Sequence, residues 1–393
     1  MMDEFRSFAN APLVYGRGSL SHLSRLDGRR AAVLTDDAAM ESLGYLQQAM
    51  DHLDEAGIEV QIVARIGHEP TTADIDRCKV EIESLEPDWI IALGGGSVMD
   101  AAKAVWVFAE HPHLTWEQAF QFNQLPPIKD IRMAAIPTTS GTGSETSRVA
   151  VLVDGSTGMK KLIFSAEIIP SLAIIDPNLP SSMPPALTAC TAFDAMSHAI
   201  ESNMSKLSTA FTSSMATAAI QMIFRFLPGA YHDSDAEARE RMHYASTLAG
   251  MAINNSTVGL AHAMDQVGPI FDIPHGVVCA VLLPYTLAFM FDTVEVRLAE
   301  MARAIGLQES SEKELASAFL QALVSLMKDV ELPVGFAATG VSEKHYFANI
   351  DALTAETLES GSAQLAPRMP TANEAEHIFT DAYYGRLPAE VIA

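Results

Sequence analysis

The sequence predicts an α/β N-terminal domain with a largely parallel sheet, followed by an all-α C-terminal domain. Three observations carry this. Short apolar runs alternate with helical patterns as far as residue 180, the pattern of strands and helices wound into one parallel sheet. From Pro185 onward the chain is Ala-, Met- and Leu-rich at helical spacing, with few β-branched clusters. And 393 residues exceed what one typical core accommodates. The boundary is expected at residue 180, giving domains 1–180 and 181–393. No internal repeat or low-complexity linker separates them, so a cleft between packed domains is expected.

Taken in order, residues 31–36 form a short apolar run ending in a polar turn, which reads as a buried parallel strand. A helical stretch covers 38–56, a strand 58–63 and a helix 72–85. Residues 89–93, Trp-Ile-Ile-Ala-Leu, are a further buried strand, broken by glycines and followed by a helix over 98–108. Residues 133–136, 149–153 and 172–175 complete the strands. Beyond the boundary, helices are expected over 187–204, 210–226, 236–254, 294–304 and 312–330.

Composition excludes several function classes. Apolar content of 49% with 19% charged residues describes a well-buried globular chain. The net charge of −24 argues against nucleic-acid and anionic-membrane partners, both of which need a basic footprint. The three cysteines, Cys78, Cys190 and Cys279, show no C-x-x-C spacing and fit reduced thiols in a cytosol. Residues 1–6 carry acid and lack an apolar h-region, so no signal peptide is expected. No apolar run reaches the roughly 18–20 residues that span a bilayer. A cytoplasmic protein is expected.

Two loops in the N-terminal half invite a phosphate-bearing ligand. Gly94-Gly95-Gly96-Ser97 lies between a buried strand and a helix. Glycines let the backbone approach a ligand, and the helix start offers free N–H groups. The triplet alone fits a tight turn equally well, and it is not the G-x-G-x-x-G fingerprint. The second loop, residues 137–145, is rich in Ser, Thr and Gly and follows a strand. It reads either as a ligand loop or as a polar surface loop. Asp36 ends an early strand, where a carboxylate either accepts from a ribose 2′-OH and repels a 2′-phosphate or caps a helix.

The C-terminal half holds one carboxylate and three imidazoles in apolar surroundings. Asp194 and His198 are four apart and share a helix face. Burying them unpaired is costly. His262 and His275 are expected from a second helix and its following loop, with His275 locked between Pro274 and Gly276. One oxygen and three nitrogens suit Fe²⁺ or Zn²⁺ better than Mg²⁺ or Ca²⁺. Each histidine taken alone reads as a structural residue; the quartet reads as a metal site. His22, His111, His113, His232 and His345 sit in polar contexts and read as surface residues, and the methionines as core filler.

Together these residues resemble the iron-containing (group III) alcohol dehydrogenases. The motifs are residues 94–103, from Gly94 through Asp100 to Lys103; Pro137 to Glu145; Asp194-x-x-x-His198-Ala-Ile-Glu201; and His262 with Pro274-His275-Gly276. The likeness runs from Tyr15-Gly16-Arg17-Gly18 to Pro367-Arg368. It implies a dehydroquinate-synthase-like fold, with a nucleotide-binding α/β domain and a helical metal-binding domain. It implies NAD(P)-dependent interconversion of a small alcohol and its aldehyde or ketone, with NAD expected over NADP, and Fe²⁺ or alternatively Zn²⁺. The family's metal ligands fall on Asp194, His198, His262 and His275. Its pyrophosphate loop falls on Gly94, Gly95, Gly96 and Ser97, with Asp100 in the helix beyond. Thr138, Thr139 and Thr142 resemble its second cofactor loop. Asp36 matches the aspartate associated with NAD preference, and Lys160 the lysine reaching toward the cofactor ribose. A homodimer or higher homo-oligomer is expected.

The chain departs from the family pattern at Gln266, where many members carry a histidine implicated in proton transfer. Glutamine hydrogen-bonds but cannot titrate, so proton release would need water, a ribose hydroxyl or another side chain. The segment from His262 to His275 is one residue shorter than in many members, and Ala192-Phe193 replaces the common Gly-Met. Two alternatives share the fold: a dedicated reductase of a small anionic semialdehyde, and a lyase or cyclase that uses NAD transiently.

Overall fold

A computed structural model describes residues 7–36 and 38–387. The stretch read for a leader, residues 1–6, lies outside them. The chain divides into two compact units, Met1–Ser182 and Met183–Ala393.

The first unit is built on six parallel strands: β1 (Leu13–Tyr15), β2 (Arg30–Thr35), β3 (Glu59–Arg65), β4 (Trp89–Gly94), β5 (Arg132–Pro137) and, after a separate hairpin, β8 (Leu172–Ile175). Their order is β1-β8-β5-β4-β2-β3, with Leu34 opposite Ala92 and Gly94 opposite Pro137. The central strands are buried on both faces: Leu34, Ile90, Ile91, Leu93 and Ile136 have no exposed surface. That is why they read as continuous apolar runs rather than alternating ones. Each such side chain contributes about 1.5–3 kcal/mol by leaving water.

Two expectations for this unit need correction. The helix expected over 38–56 is two helices, Ala39–Ser42 and Tyr45–Glu55. Gly44 between them has φ 78°, a left-handed conformation that breaks the helix. Residues 149–153 do not join the main sheet. They form β6 (Val149–Val153), which pairs antiparallel with β7 (Lys160–Phe164) in a separate hairpin.

The second unit is helical, with no strand among its described residues. Three long helices, Pro185–Met204, Ala210–His232 and Ala236–Asn254, share one apolar core with His275–Phe289 and Glu312–Asp329. Pro185 starts the first of them, where a missing N–H costs nothing. Among the described residues, no single helix is long and apolar enough to cross a membrane.

Candidate metal centre and cofactor loops

The helix Pro185–Met204 carries Asp194, His198 and Glu201, at spacings of four and three that place all three on one face. His262 belongs to the short helix Leu260–Ala263. His275 is not in a loop: it opens the helix His275–Phe289, with Pro274 before it as N-cap. Gly276 explains the Pro-His-Gly sequence. A Cβ there would lie 2.3 Å from the carbonyl oxygen of Cys190, so two helices approach backbone to backbone where His275 enters the site. Gly259 similarly clears space for Glu201, whose carboxylate a Cβ would meet at 3.0 Å.

These elements converge on one atom. Asp194 Oδ1 lies 3.5 Å from His198 Nε2, 3.6 Å from His262 Nε2 and 3.4 Å from His275 Nε2. It is buried yet makes no hydrogen bond. A buried carboxylate oxygen without a donor is costly, and three inward imidazole nitrogens around it make a ready set for a divalent cation. The site opens on one side, since the His275 side chain is 31% exposed against 4% for Asp194.

The outer nitrogens are held separately. His262 Nδ1 lies 2.5 Å from Glu201 Oε2, and Glu201 Oε1 accepts the Ala261 N–H at 2.6 Å. His275 Nδ1 lies 3.1 Å from Asp265 Oδ2. Carboxylates on Nδ1 hold a ligating histidine in the tautomer that leaves Nε2 for the metal. Sequence reasoning assigns neither Glu201 nor Asp265 this role. It also misses Cys279, whose Sγ lies 3.6 Å from Nε2 of both His262 and His275. Asp194, His262, His275 and Cys279 each offer an atom within 4.8 Å of the others. His198 stands outside this group.

Charge in this cluster is finely divided. Burial opposes ionisation of Asp194, but His198, His262 and His275 outweigh it and hold the carboxyl well below the usual range. Burial pushes His198 down to about 4. Burial acts the same way on His262 and His275, but Cys279 with Glu201 for the first, and Cys279 with Asp194 for the second, drive both well upward. The surrounding anions thus favour positive charge on these two rings, a charge that a divalent ion would supply instead. Gln266, the N-cap of the short helix Val267–Phe271, makes no side-chain hydrogen bond among the described residues.

In the first unit the two ligand-loop candidates lie against each other. Thr138 N–H donates to Gly94 O at 3.1 Å. A Cβ on Gly95 would sit 3.3 Å from Thr139, and one on Gly96 only 2.7 Å from Thr142. The helix Gly96–Glu110 starts here with Ser97 in its first turn, and no side chain caps it, so its N–H groups suit a phosphate. Asp100 is committed elsewhere: its carboxylate accepts from Ser144 Oγ and Val151 N–H, and burial raises its pKa. Lys160 pairs with Glu69 at 3.0 Å. Asp36 Oδ1 accepts the Met40 N–H at 3.1 Å, a capping role for one of its two oxygens.

Residues 10–177 match the family model for iron-containing alcohol dehydrogenase, and residues 188–383 that for the C-terminal domain of the Fe-containing alcohol dehydrogenase family. The chain belongs to the iron-containing alcohol dehydrogenase family. It is 36% identical to an NADPH-dependent butanol dehydrogenase of Clostridium saccharobutylicum, over 95% of this chain and 96% of that one. A solved 1,3-propanediol oxidoreductase superposes with a TM-score of 0.91 at 32% identity, covering 97% of this chain and all of the other. Sulfoacetaldehyde reductase from Bifidobacterium kashiwanohense, solved with NAD⁺, gives 0.86 at 27% identity, covering 96% and 98%. This iron-containing alcohol dehydrogenase is thus an NAD(P)-linked oxidoreductase that interconverts an alcohol and its aldehyde or ketone.

Proposed function

We propose that the enzyme is an NAD-preferring dehydrogenase of small alcohols whose divalent ion, Fe²⁺ or Zn²⁺, is held by Asp194, His198, His262 and His275. The observation that carries this is Asp194 Oδ1, buried without a hydrogen bond and facing three imidazole nitrogens. When bound, the ion supplies a Lewis acid for the substrate oxygen and the nicotinamide a hydride carrier. Glu201 and Asp265 fix the His262 and His275 rings, so the donor atoms are in place before substrate arrives. Gln266 cannot take up the substrate proton, which must leave by another route.

Gly94, Gly95, Gly96 and Ser97 hold the pyrophosphate against Thr138, Thr139 and Thr142, with Lys160 toward the ribose. Asp100 supports the loop from behind through Ser144. The Asp36 oxygen left over from capping favours a ribose hydroxyl over a 2′-phosphate. Asp36→Ser should therefore raise the NADPH-to-NADH ratio of kcat/KM; an unchanged ratio would remove Asp36 from cofactor choice. The soluble-type composition and three free cysteines support a cytoplasmic site of action, and we expect a homo-oligomer, readable by light scattering.

The deciding experiment is a screen of small alcohols and aldehydes, read by NADH absorbance, with apo, Fe²⁺ and Zn²⁺ protein. Sulfoacetaldehyde belongs in the screen as the anionic-semialdehyde arm. A lyase or cyclase would show no net NADH change. His262→Ala should abolish metal binding and turnover together; retention of both would sink the assignment.

A further inference from the structure

We propose that Arg65 is the residue able to hold a cofactor 2′-phosphate, and that its ion pair with Glu41 withholds it, so that this pair sets the choice between NAD and NADP together with Asp36. The proposal rests on the reading of Asp36 as the ribose-facing carboxylate. Three strands end side by side in the sheet order β4-β2-β3. β4 runs into the Gly94-Gly95-Gly96 loop, β2 ends at Thr35 just before Asp36, and β3 ends at Arg65. Thr35 lies opposite Leu93 on one side and Arg65 on the other, so the Arg65 backbone stands one strand spacing, about 4.8 Å, from that of Thr35. Ligands of open parallel sheets bind outside the carboxyl ends of the strands, and an arginine near the ribose-binding carboxylate is what accommodates a 2′-phosphate.

The strand pairing brings arginine to this position. Between Val33 and Leu34 the register of β2 on β3 slips by one residue, so that Val33 faces Ile62 but Leu34 faces Ala64. Without the slip Thr35 would face Ala64. With it Thr35 faces Arg65, and the Thr35 carbonyl accepts the Ile66 N–H at 2.8 Å. An extra residue in one strand re-aims the side chains beyond it. The guanidinium then pairs with Glu41 at 2.9 Å. Glu41 comes from the one-turn helix Ala39–Ser42, whose Met40 N–H donates to Asp36 Oδ1. One turn of chain thus carries both the carboxylate read as facing the ribose and the carboxylate that engages the arginine. The two paired side chains keep access to solvent, at 34% and 62% exposed, so the pair is weak enough for a phosphate to displace Glu41. A guanidinium fork takes phosphate oxygens two at a time. Glu41 opposes that exchange twice, by holding the fork and by adding a like charge beside the incoming phosphate.

Fluorescence titration of the full chain with NADH and with NADPH, without alcohol so that binding and not turnover is read, tests this. Exposed ion pairs hold their partners by up to about fivefold, and loss of the Glu41 charge adds to this. Glu41→Gln should therefore bind NADPH about fivefold tighter than wild type or more, with NADH affinity little changed. Adenosine 2′,5′-bisphosphate should compete correspondingly better in Glu41→Gln, and adenosine 5′-diphosphate should not. The double variant Glu41→Gln with Arg65→Gln should lose the gain. An NADPH-to-NADH affinity ratio unmoved in Glu41→Gln overturns the proposal, and so does a gain that survives in the double variant. Asp36→Ser titrated alongside separates the two readings. If it raises the ratio while Glu41→Gln does not, the proposal falls and the role of Asp36 stands; if neither moves the ratio, both fall. Glu41 and Arg65 both reach solvent, so these variants should melt with wild type.

Discussion

Glu201→Gln is the substitution that most directly probes how the site is held. The Glu201 side chain is 2% exposed and spans two donors, the Ala261 N–H and His262 Nδ1, at 2.6 and 2.5 Å. Glutamine keeps its shape. With its oxygen on Ala261, its amide N–H₂ faces His262 Nδ1. That ring nitrogen must then accept, and its proton moves to Nε2, the atom that faces Asp194. A flipped amide instead opposes the Ala261 N–H, leaving a buried donor unpaired at about 1–3 kcal/mol. Either way the ligating lone pair loses its preparation. Losing an outer-shell carboxylate costs about 10–100-fold in metal affinity, or about 1.4–2.7 kcal/mol. The assay is Zn²⁺ competition against a chromophoric chelator, with thermal melting as the folding control. A folded Glu201→Gln that binds zinc as tightly as wild type would refute the view that this carboxylate sets the His262 tautomer.

Three further perturbations follow from the same structure. His243 is buried in the helix Ala236–Asn254, and burial pushes it down to about 3. The unfolded chain protonates this histidine below about pH 6.5 while the folded chain does not, so stability is intact above that pH and falls as pH drops toward 3. Between pH 6.5 and 4.5 the loss is about 2 kcal/mol, and His243→Leu should remove it from urea-unfolding curves compared at those two pH values. Gly276→Ala would press a Cβ onto the Cys190 backbone; overpacking of this kind costs about 1–3 kcal/mol, so a lowered melting temperature together with weakened zinc binding is expected. Lys103, fully buried, donates to Ser144 Oγ, Ser147 O, Ser147 Oγ and Val149 O, and burial lowers its pKa to about 8. Lys103→Met should destabilise the first unit by about 3 kcal/mol, the scale of breaking a buried charged network, measured by urea titration.

Much of the fold is legible because buried parallel strands advertise themselves. Residues 89–93, 133–136 and 172–175 are apolar on both faces, and β4, β5 and β8 cover them. The hairpin is half legible: Val149–Val153 shows its apolar residues, but its partner opens with Lys160-Lys161 and alternates weakly. The strand pattern of one member therefore gives no sign that it leaves the main sheet. Asp194 and His198 can be paired from their spacing alone. His275 cannot be placed on a helix from sequence, because Pro274-His275-Gly276 carries loop residues on both sides. Proline serves there as the N-cap, and glycine is required by the Cys190 backbone, a tertiary contact that no local pattern reveals. Cys279 has no second cysteine nearby to mark its place beside the imidazoles; the available signal is its position four residues after His275.

The three imidazoles are not equivalent, and independent features agree on which is the least constrained. His262 is held by Glu201 and His275 by Asp265, each through Nδ1. His198 Nδ1 is buried with no hydrogen-bond partner. Its ring is positioned by packing, stacked on His262 at 4.7 Å between centroids, and packing constrains a ring's rotation less tightly than a carboxylate on its outer nitrogen. His198 also falls outside the mutual 4.8 Å cluster that includes Cys279. Within the short segment between His262 and His275, Asp265 holds the His275 ring from the position just before Gln266. Under the proposed reading of this cluster as a metal centre, a carboxylate at 265 beside a non-titrating residue at 266 gives this segment a supporting role, and the substrate proton would leave through other groups.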